Sequence, residues 1–178
     1  MAGSAKPTRL IVMGVTGCGK STIGAALAEA LDAPFLDGDD YHPPANVAKM
    51  SAGQPLTDSD RWPWLDRLGE VLEETVENAG RAVMACSALR RAYRDRLSAA
   101  CAAPPTFLHL SGSRDLIHRR LTVRSDHFMP PALLESQFST LEPISPDESA
   151  LVLPIDGQVA ETVDNIIRQL RLSDAHSA

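Results

Sequence analysis

A glycine-rich octet near the start of the chain, Gly14-Val15-Thr16-Gly17-Cys18-Gly19-Lys20-Ser21, has the spacing G-x-x-x-x-G-K-S. It stands between an apolar run, Leu10-Ile11-Val12-Met13, and a segment whose apolar residues Ile23, Leu27, Ala30 and Leu31 recur at helical spacing. A motif of this form between a strand and a helix is a P-loop. Its glycines let the backbone curl without Cβ clashes. The N–H groups from about Gly17 to Thr22 then turn inward as an anion nest, backed by the positive end of the helix dipole. Lys20 can reach the β and γ phosphates of ATP, and Ser21 offers a hydroxyl to Mg2+. Gly14 to Thr22 are therefore the candidate ATP cradle. The chemistry does not require a thiol at Cys18. Its place at a helix N-terminus predicts a lowered pKa and an alkylation that ATP protects against, unless it is only a small side chain that fits.

Many P-loop proteins direct Mg2+ with an aspartate at the end of a later apolar strand. Here that strand, Ala82-Val83-Met84-Ala85, runs into Cys86-Ser87 without a carboxylate. The acid must come from Phe35-Leu36-Asp37-Gly38-Asp39-Asp40, at the carboxyl end of the second expected strand. Open parallel sheets bind ligands beyond that edge. Asp37 and Asp39 are two apart with a glycine between them. One of the pair suits orientation of Mg2+ through water, and the other suits taking a proton from a substrate hydroxyl. A solvated acidic turn is the plain alternative.

The elements that must hold these groups can be read along the chain. Strands are expected at Arg9–Met13, Phe35–Asp37, Ala82–Cys86, Thr106–Leu110 and Ala150–Ile155. Helices are expected at Lys20–Leu31, Ala45–Met50, Trp64–Asn78, Leu89–Ala102, Ser113–Val123, Ala132–Thr140 and Val159–Leu170, with Gly80 as a stop and Ser51–Asp60 as loop. Apolar strands alternating with helices signal an α/β fold: a five-stranded parallel sheet flanked by helices. Residues 1–8 and 173–178 read as flexible tails around a single domain at 9–172. The polar stretch Arg124 to Glu148 is the candidate mobile insert, with a lid at about 124–140.

Composition narrows the partners. The chain of 178 residues is 44% hydrophobic and 22% charged, with 17 basic and 23 acidic residues and a net charge of −6. It is long enough to bury a core without metal or disulfide. An acidic chain with no basic block is a poor nucleic-acid binder. No segment approaches the ~20 apolar residues of a membrane span, so no membrane partner is expected. Cys18, Cys86 and Cys101 are odd in number and show no metal-site spacing, which fits a reducing, cytoplasmic setting.

Beyond the P-loop and Asp37-Gly38-Asp39, further stretches are His42-Pro43, Asn46, Lys49-Met50, Gly53 and Pro55-Leu56 through Asp58. They continue with Asp60-Arg61, Pro63-Trp64-Leu65, Cys86-Ser87-Ala88-Leu89, Tyr93-Arg94-Asp95, Arg120-Leu121, Arg124, His127-Phe128, and Gln137-Phe138 to Leu141-Glu142. Together they resemble the small gluconokinases, P-loop kinases related in fold to shikimate kinase and adenylate kinase. The resemblance covers about residues 9–172. It implies transfer of the ATP γ-phosphoryl group to the 6-hydroxyl of D-gluconate, giving 6-phospho-D-gluconate, with Mg2+ as cofactor and small molecules as the only substrates. A homodimer is compatible with it. Shikimate-type or nucleoside monophosphate kinases, or a nucleotide-gated module without transfer activity, are the alternatives.

The resemblance also implies roles. Gly14 to Ser21 hold ATP, Asp37 sits near Mg2+ and Asp39 near the attacking hydroxyl. Arg61, Ser87, Arg91 and Gln137 become candidate substrate contacts, and Arg120 and Arg124 phosphate contacts from the lid. An arginine fork suits the gluconate carboxylate, and the helix carrying Arg91 and Arg94 follows a strand end facing the ligand edge. Arg119, one residue off the face of Arg120, is expected to point away. His42 and His127 are candidates to hydrogen-bond polyol hydroxyls, while His109 reads as core and His118 and His176 as solvated. Trp64 reads as a helix-start anchor. Cys18 departs from the Ser or Ala more usual in such loops, and Asp40-Tyr41 from apolar residues.

Overall fold

The computed structural model describes residues 8–123 and 131–176. Strand β1 (Thr8–Met13) leads through the glycine loop into α1 (Lys20–Ala30), then β2 (Phe35–Asp37) and a 3-10 turn over Gly38–Tyr41. Helices α2 (Pro44–Ser51) and α3 (Asp58–Ala79) precede β3 (Arg81–Ala85), α4 (Arg91–Ala99) and β4 (Thr106–Ser111). Helices α5 (Arg114–Val123) and α6 (Pro131–Thr140), strand β5 (Ala150–Pro154) and helix α7 (Val159–His176) complete the order. All five strands run parallel, in the order β2-β3-β1-β4-β5. No described helix is long and apolar enough to cross a membrane.

Strand β1 lies at the centre, between β3 and β4, so the chain's first loop opens where the winding of the sheet reverses. That is the position at which doubly wound sheets take ligands. Its side chains alternate between two cores. Leu10 and Val12 pack with Ile23 and Leu27 of α1, Ile117 of α5 and Ile166 of α7. Ile11 and Met13 pack with Trp64, Leu65, Leu68 and Leu72 of α3 and Leu97 of α4. Both faces are covered, which is why β1 reads as an unbroken apolar run rather than an alternating one.

Helix α3 begins six residues before the expected Trp64. Thr57 and Asp60 form a reciprocal cap: Thr57 Oγ1 accepts from the Asp60 N–H at 3.2 Å, and Asp60 Oδ2 accepts from the Thr57 N–H at 2.8 Å. This cap satisfies two backbone donors, and Pro63 is tolerated inside the helix it starts. Helix α4 is shorter than expected. Helix α7 extends through His176, so Ser173 to His176 are helical where a loose tail is expected. Residues 1–7 and 177–178 lie outside the described residues, as do 124–130, the first part of the lid expected at about 124–140.

Arg94 does not reach the ligand edge. Its guanidinium is 1% exposed and pairs with both oxygens of Glu148. It also donates to the carbonyls of Ala88, Leu89, Glu142 and Pro143. One side chain thus ties α4 to the two loops that flank it. Replacing it with leucine strands the Glu148 carboxylate without its partner. Arg94→Leu is expected to cost about 3–5 kcal/mol, read as a lower urea midpoint; a loss under about 1 kcal/mol would contradict the assigned role.

His109 on β4 is 8% exposed, and burial, reinforced by Arg94, holds its pKa below the ordinary 6.5. The unfolded chain therefore binds this proton more readily than the folded one. Its contribution is present above pH 6.5 and is lost as pH falls through the depressed folded value. The urea midpoint should fall between about pH 7 and about pH 5, and His109→Gln should flatten that slope. An unchanged slope would contradict it.

Candidate functional site

The loop after β1 is built on three left-handed glycines, with φ of 141° at Gly14, 82° at Gly17 and 97° at Gly19. Gly19 is the N-cap of α1 and no side chain caps that end, leaving the first-turn N–H groups directed at the loop. Lys20 Nζ donates to the Val15 carbonyl at 3.1 Å, which folds the ammonium back across the loop. Gly14 N–H donates to the Ser87 carbonyl at 3.3 Å, joining the loop to the end of β3. Gln137 of α6 meets Thr16 twice: its Oε1 accepts from the Thr16 N–H at 2.7 Å and its Nε2 donates to Thr16 Oγ1 at 2.9 Å. Gln137, expected on the substrate, thus grips the nucleotide loop.

Cys18 corrects one expectation. Its side chain is 0% exposed, and burial pushes its thiol pKa up rather than down. Lys20 and Arg120 act against that shift but do not overcome it. The alternative in which the side chain simply fits is the one the structure supports, because desolvation of the thiolate outweighs the helix end.

The acidic pair comes together with the loop. Ser21 Oγ donates to Asp37 Oδ2 at 2.8 Å. Asp37 Oδ1 accepts from the Asp39 N–H at 3.2 Å, capping the 3-10 turn. The turn is possible because position 38 is glycine: a Cβ there would lie 2.5 Å from the Ala85 carbonyl oxygen. Trp64 Nε1 donates to the Gly38 carbonyl at 2.9 Å, so this residue anchors the acidic turn rather than the helix start. Asp39 is left with its carboxylate 85% exposed beside the loop. His42 stacks on Trp64, with centroids 4.1 Å apart, and its Nε2 lies 3.9 Å from Asp39 Oδ1.

A second polar group, not recognised as a unit in the sequence, gathers around Asp58. Its carboxylate accepts from Tyr93 Oη at 2.6 Å and from Arg90 at 3.0 Å, with Arg61 at 3.7 Å. The guanidiniums of Arg61 and Arg90 lie 5.5 Å and 5.8 Å from the Tyr93 ring centroid. The Thr57-x-x-Asp60 spacing is the signal that could have placed Asp58 and Arg61 in the first turns of one helix. Lys49 of α2 donates to both oxygens of Asp60, at 2.7 Å and 2.8 Å. Lys49 and the Thr57 cap lower the Asp60 pKa to about 2. Arg91 belongs elsewhere. It is bidentate on Asp147, donates to Asp95, and gives its N–H to Glu142, so the first turn of α4 docks on the 142–148 loop. Arg124 and His127 lie outside the described residues.

Behind the glycine loop lies a cavity of about 460 Å³ between α5 and the chain after β5. Gly19, Arg120, Ile155 and Val159 are among its walls. Arg120 donates to the Ile155 carbonyl, and to the Cys18 carbonyl at 3.5 Å. Arg119 also lines the cavity, contrary to expectation. The 155–162 wall escaped the sequence reading. Its position after a strand's carboxyl end was the available signal.

Comparison with known proteins gives a consistent placement. The shikimate kinase family model matches residues 16–171. A probable gluconokinase of Rattus norvegicus is 42% identical over 182 residues, spanning 93% of this chain and 98% of its own. The gluconokinase of Gluconobacter oxydans (strain 621H) is 43% identical over 169 residues, spanning 95% and 94%. The crystal structure of a gluconokinase from Sinorhizobium meliloti 1021 has a TM-score of 0.85 at 41% identity, covering 96% of each chain. Matched over nearly its whole length, this chain belongs to the shikimate kinase family and, among its members, to the gluconokinases.

Proposed function

We propose that this chain transfers the γ-phosphoryl group of ATP to the 6-hydroxyl of D-gluconate, giving 6-phospho-D-gluconate and ADP. The observation that carries the reading is the run Ser21–Asp37–Asp39, which brings a hydroxyl and two carboxylates to the mouth of the phosphate cradle. In the transfer, the gluconate oxygen bonds to the γ phosphorus as the bond to the β-γ bridging oxygen breaks. The hydroxyl proton passes to Asp39, whose exposed carboxylate can face an acceptor. Lys20 and the loop N–H groups oppose the charge on the phosphoryl oxygens. Arg120, on the cavity wall behind the loop, is the candidate contact to the nucleotide phosphates, and Arg124 is a second candidate from the sequence.

Ser21 and Asp37 would hold Mg2+. Their donor set is oxygen only and already paired at 2.8 Å, as suits a hard cation that takes its remaining ligands from phosphates and water. When bound, that ion neutralises charge on the β and γ phosphates. Arg61 is the candidate for the gluconate carboxylate, reached from the start of α3, with Ser87 beside the loop. Arg91 is the weakest of the substrate assignments, since two aspartates already hold it. The three free cysteines support a reducing, cytoplasmic setting.

Turnover of ATP with gluconate, shikimate and AMP, read by ADP release and by phosphorus NMR of the product, is expected to select gluconate and the 6-position. Lys20→Ala should lower kcat by about 10²–10³. Asp39→Asn should lower it by about 10²–10⁴ with ATP binding kept. A preference for shikimate or AMP would overturn the substrate, and undiminished Asp39→Asn turnover would remove Asp39 as base.

A further inference from the structure

His42 is a buried titratable side chain whose chemistry the phosphoryl transfer leaves unused. Its side chain is 6% exposed. The ring is held flat against Trp64, at 15° between planes, and Trp64 in turn holds the Gly38 carbonyl of the acidic turn. The position of the imidazole is therefore set by the same indole that sets the backbone before Asp39.

The protonation of the ring can be read from its neighbours. Asn46 is 4% exposed, and its Nδ2 donates to the Asp60 carbonyl at 2.9 Å. A carbonyl oxygen only accepts, so the nitrogen and oxygen of that amide are distinguished. The same Nδ2 lies 3.5 Å from His42 Nδ1. A donor facing Nδ1 requires a lone pair there, and a neutral ring then carries its proton on Nε2. That atom is the one 3.9 Å from Asp39 Oδ1. Burial favours the neutral ring, with Arg61 acting in the same direction and Asp39 against it.

We propose that His42 is a positioning residue for phosphoryl transfer: fixed by Asn46 as the Nε2–H tautomer, it steadies one oxygen of Asp39 so that the other faces the acceptor hydroxyl. The proposal rests on Asp39 as the proton acceptor. An exposed aspartate samples several rotamers, and a base is effective only in the geometry that meets the hydroxyl. A rotation of the exposed Asp39 closes the 3.9 Å gap, as such contacts tighten when the acceptor binds. Both ring nitrogens are then committed to protein groups. That replaces the sequence expectation that His42 bonds polyol hydroxyls.

The test combines a spectrum with kinetics on the full chain. Long-range proton–nitrogen correlation of the 15N-labelled protein at neutral pH, with His42 assigned by its loss in His42→Gln, should show the neutral Nε2–H tautomer. An Nδ1–H tautomer or an imidazolium overturns the proposal. His42→Phe keeps a ring on Trp64 but removes both nitrogens. It should lower kcat with gluconate by about tenfold to a hundredfold, with KM for gluconate and for ATP within about threefold. His42→Gln, whose amide N–H can occupy the place of Nε2, should recover most of that loss. A raised gluconate KM at unchanged kcat, or equal losses in Phe and Gln variants, overturns the proposal. In an Asp39→Asn background His42→Phe should cost nothing further, since it acts through Asp39. Wild-type rates in Asp39→Asn alone would overturn the base assignment and this proposal with it, whereas the wrong tautomer overturns the proposal alone.

Discussion

One hydrogen bond joins the two halves of the site. Ser21 belongs to the first turn of α1 and Asp37 to the end of β2, two strands removed from β1 in the sheet. The bond between them brings the phosphate cradle and the acidic turn to the same point. Everything chemical depends on that meeting, because a transferred phosphoryl group must be in reach of its acceptor while still held by its donor. Asp37 has both oxygens engaged, one by Ser21 and one by the N–H that opens the turn carrying Asp39. One side chain thus ties the hydroxyl of the loop to the turn that carries the second carboxylate.

The rest of the molecule holds that point steady from two sides. The sheet does so through β1 and β3, whose ends are stitched by the Gly14–Ser87 bond, with the Ala85 carbonyl of β3 close against Gly38. The helices do so through Trp64, His42, Asn46 and the Lys49–Asp60 pair, which bind α2 and the start of α3 to the acidic turn. These polar links lie where an apolar core would be softer in direction. Hydrogen bonds fix orientation as well as distance, and a buried amide or indole left unpaired would be costly.

The cradle and the acidic turn were legible in the sequence because both are local. The octet from Gly14 to Ser21 and the Asp37-Gly38-Asp39 triplet carry their geometry in consecutive residues. All five strands were found within a residue or two, since burial on both sheet faces leaves apolar runs in β1, β3 and β4, and the half-exposed edge strands β2 and β5 are still short apolar runs. What escaped was decided by distant partners. The start of α3 was hidden by Pro63 and a loop-like composition, although Thr57 and Asp60 supply a cap stronger than either signal. Arg91 and Arg94 looked alike as candidates for an anion, yet their partners Asp147 and Glu148 lie more than fifty residues away. Between the two readings of Cys18, a lowered pKa at a helix end or a side chain that only fits, burial decides, and burial is not visible in the sequence. The 155–162 wall of the cavity has no motif and is defined only by its place in the fold.

The claim that the Ser21–Asp37 contact unites the cradle with the acidic turn is tested most directly by calorimetric titration of ATP, with and without Mg2+, into the wild-type chain and Asp37→Ala. The account predicts that Mg2+ tightens ATP binding to the wild type by about tenfold or more, worth about 1.4 kcal/mol, and that this gain disappears in Asp37→Ala while metal-free binding persists. An Asp37→Ala variant that keeps the full Mg2+ effect would contradict it.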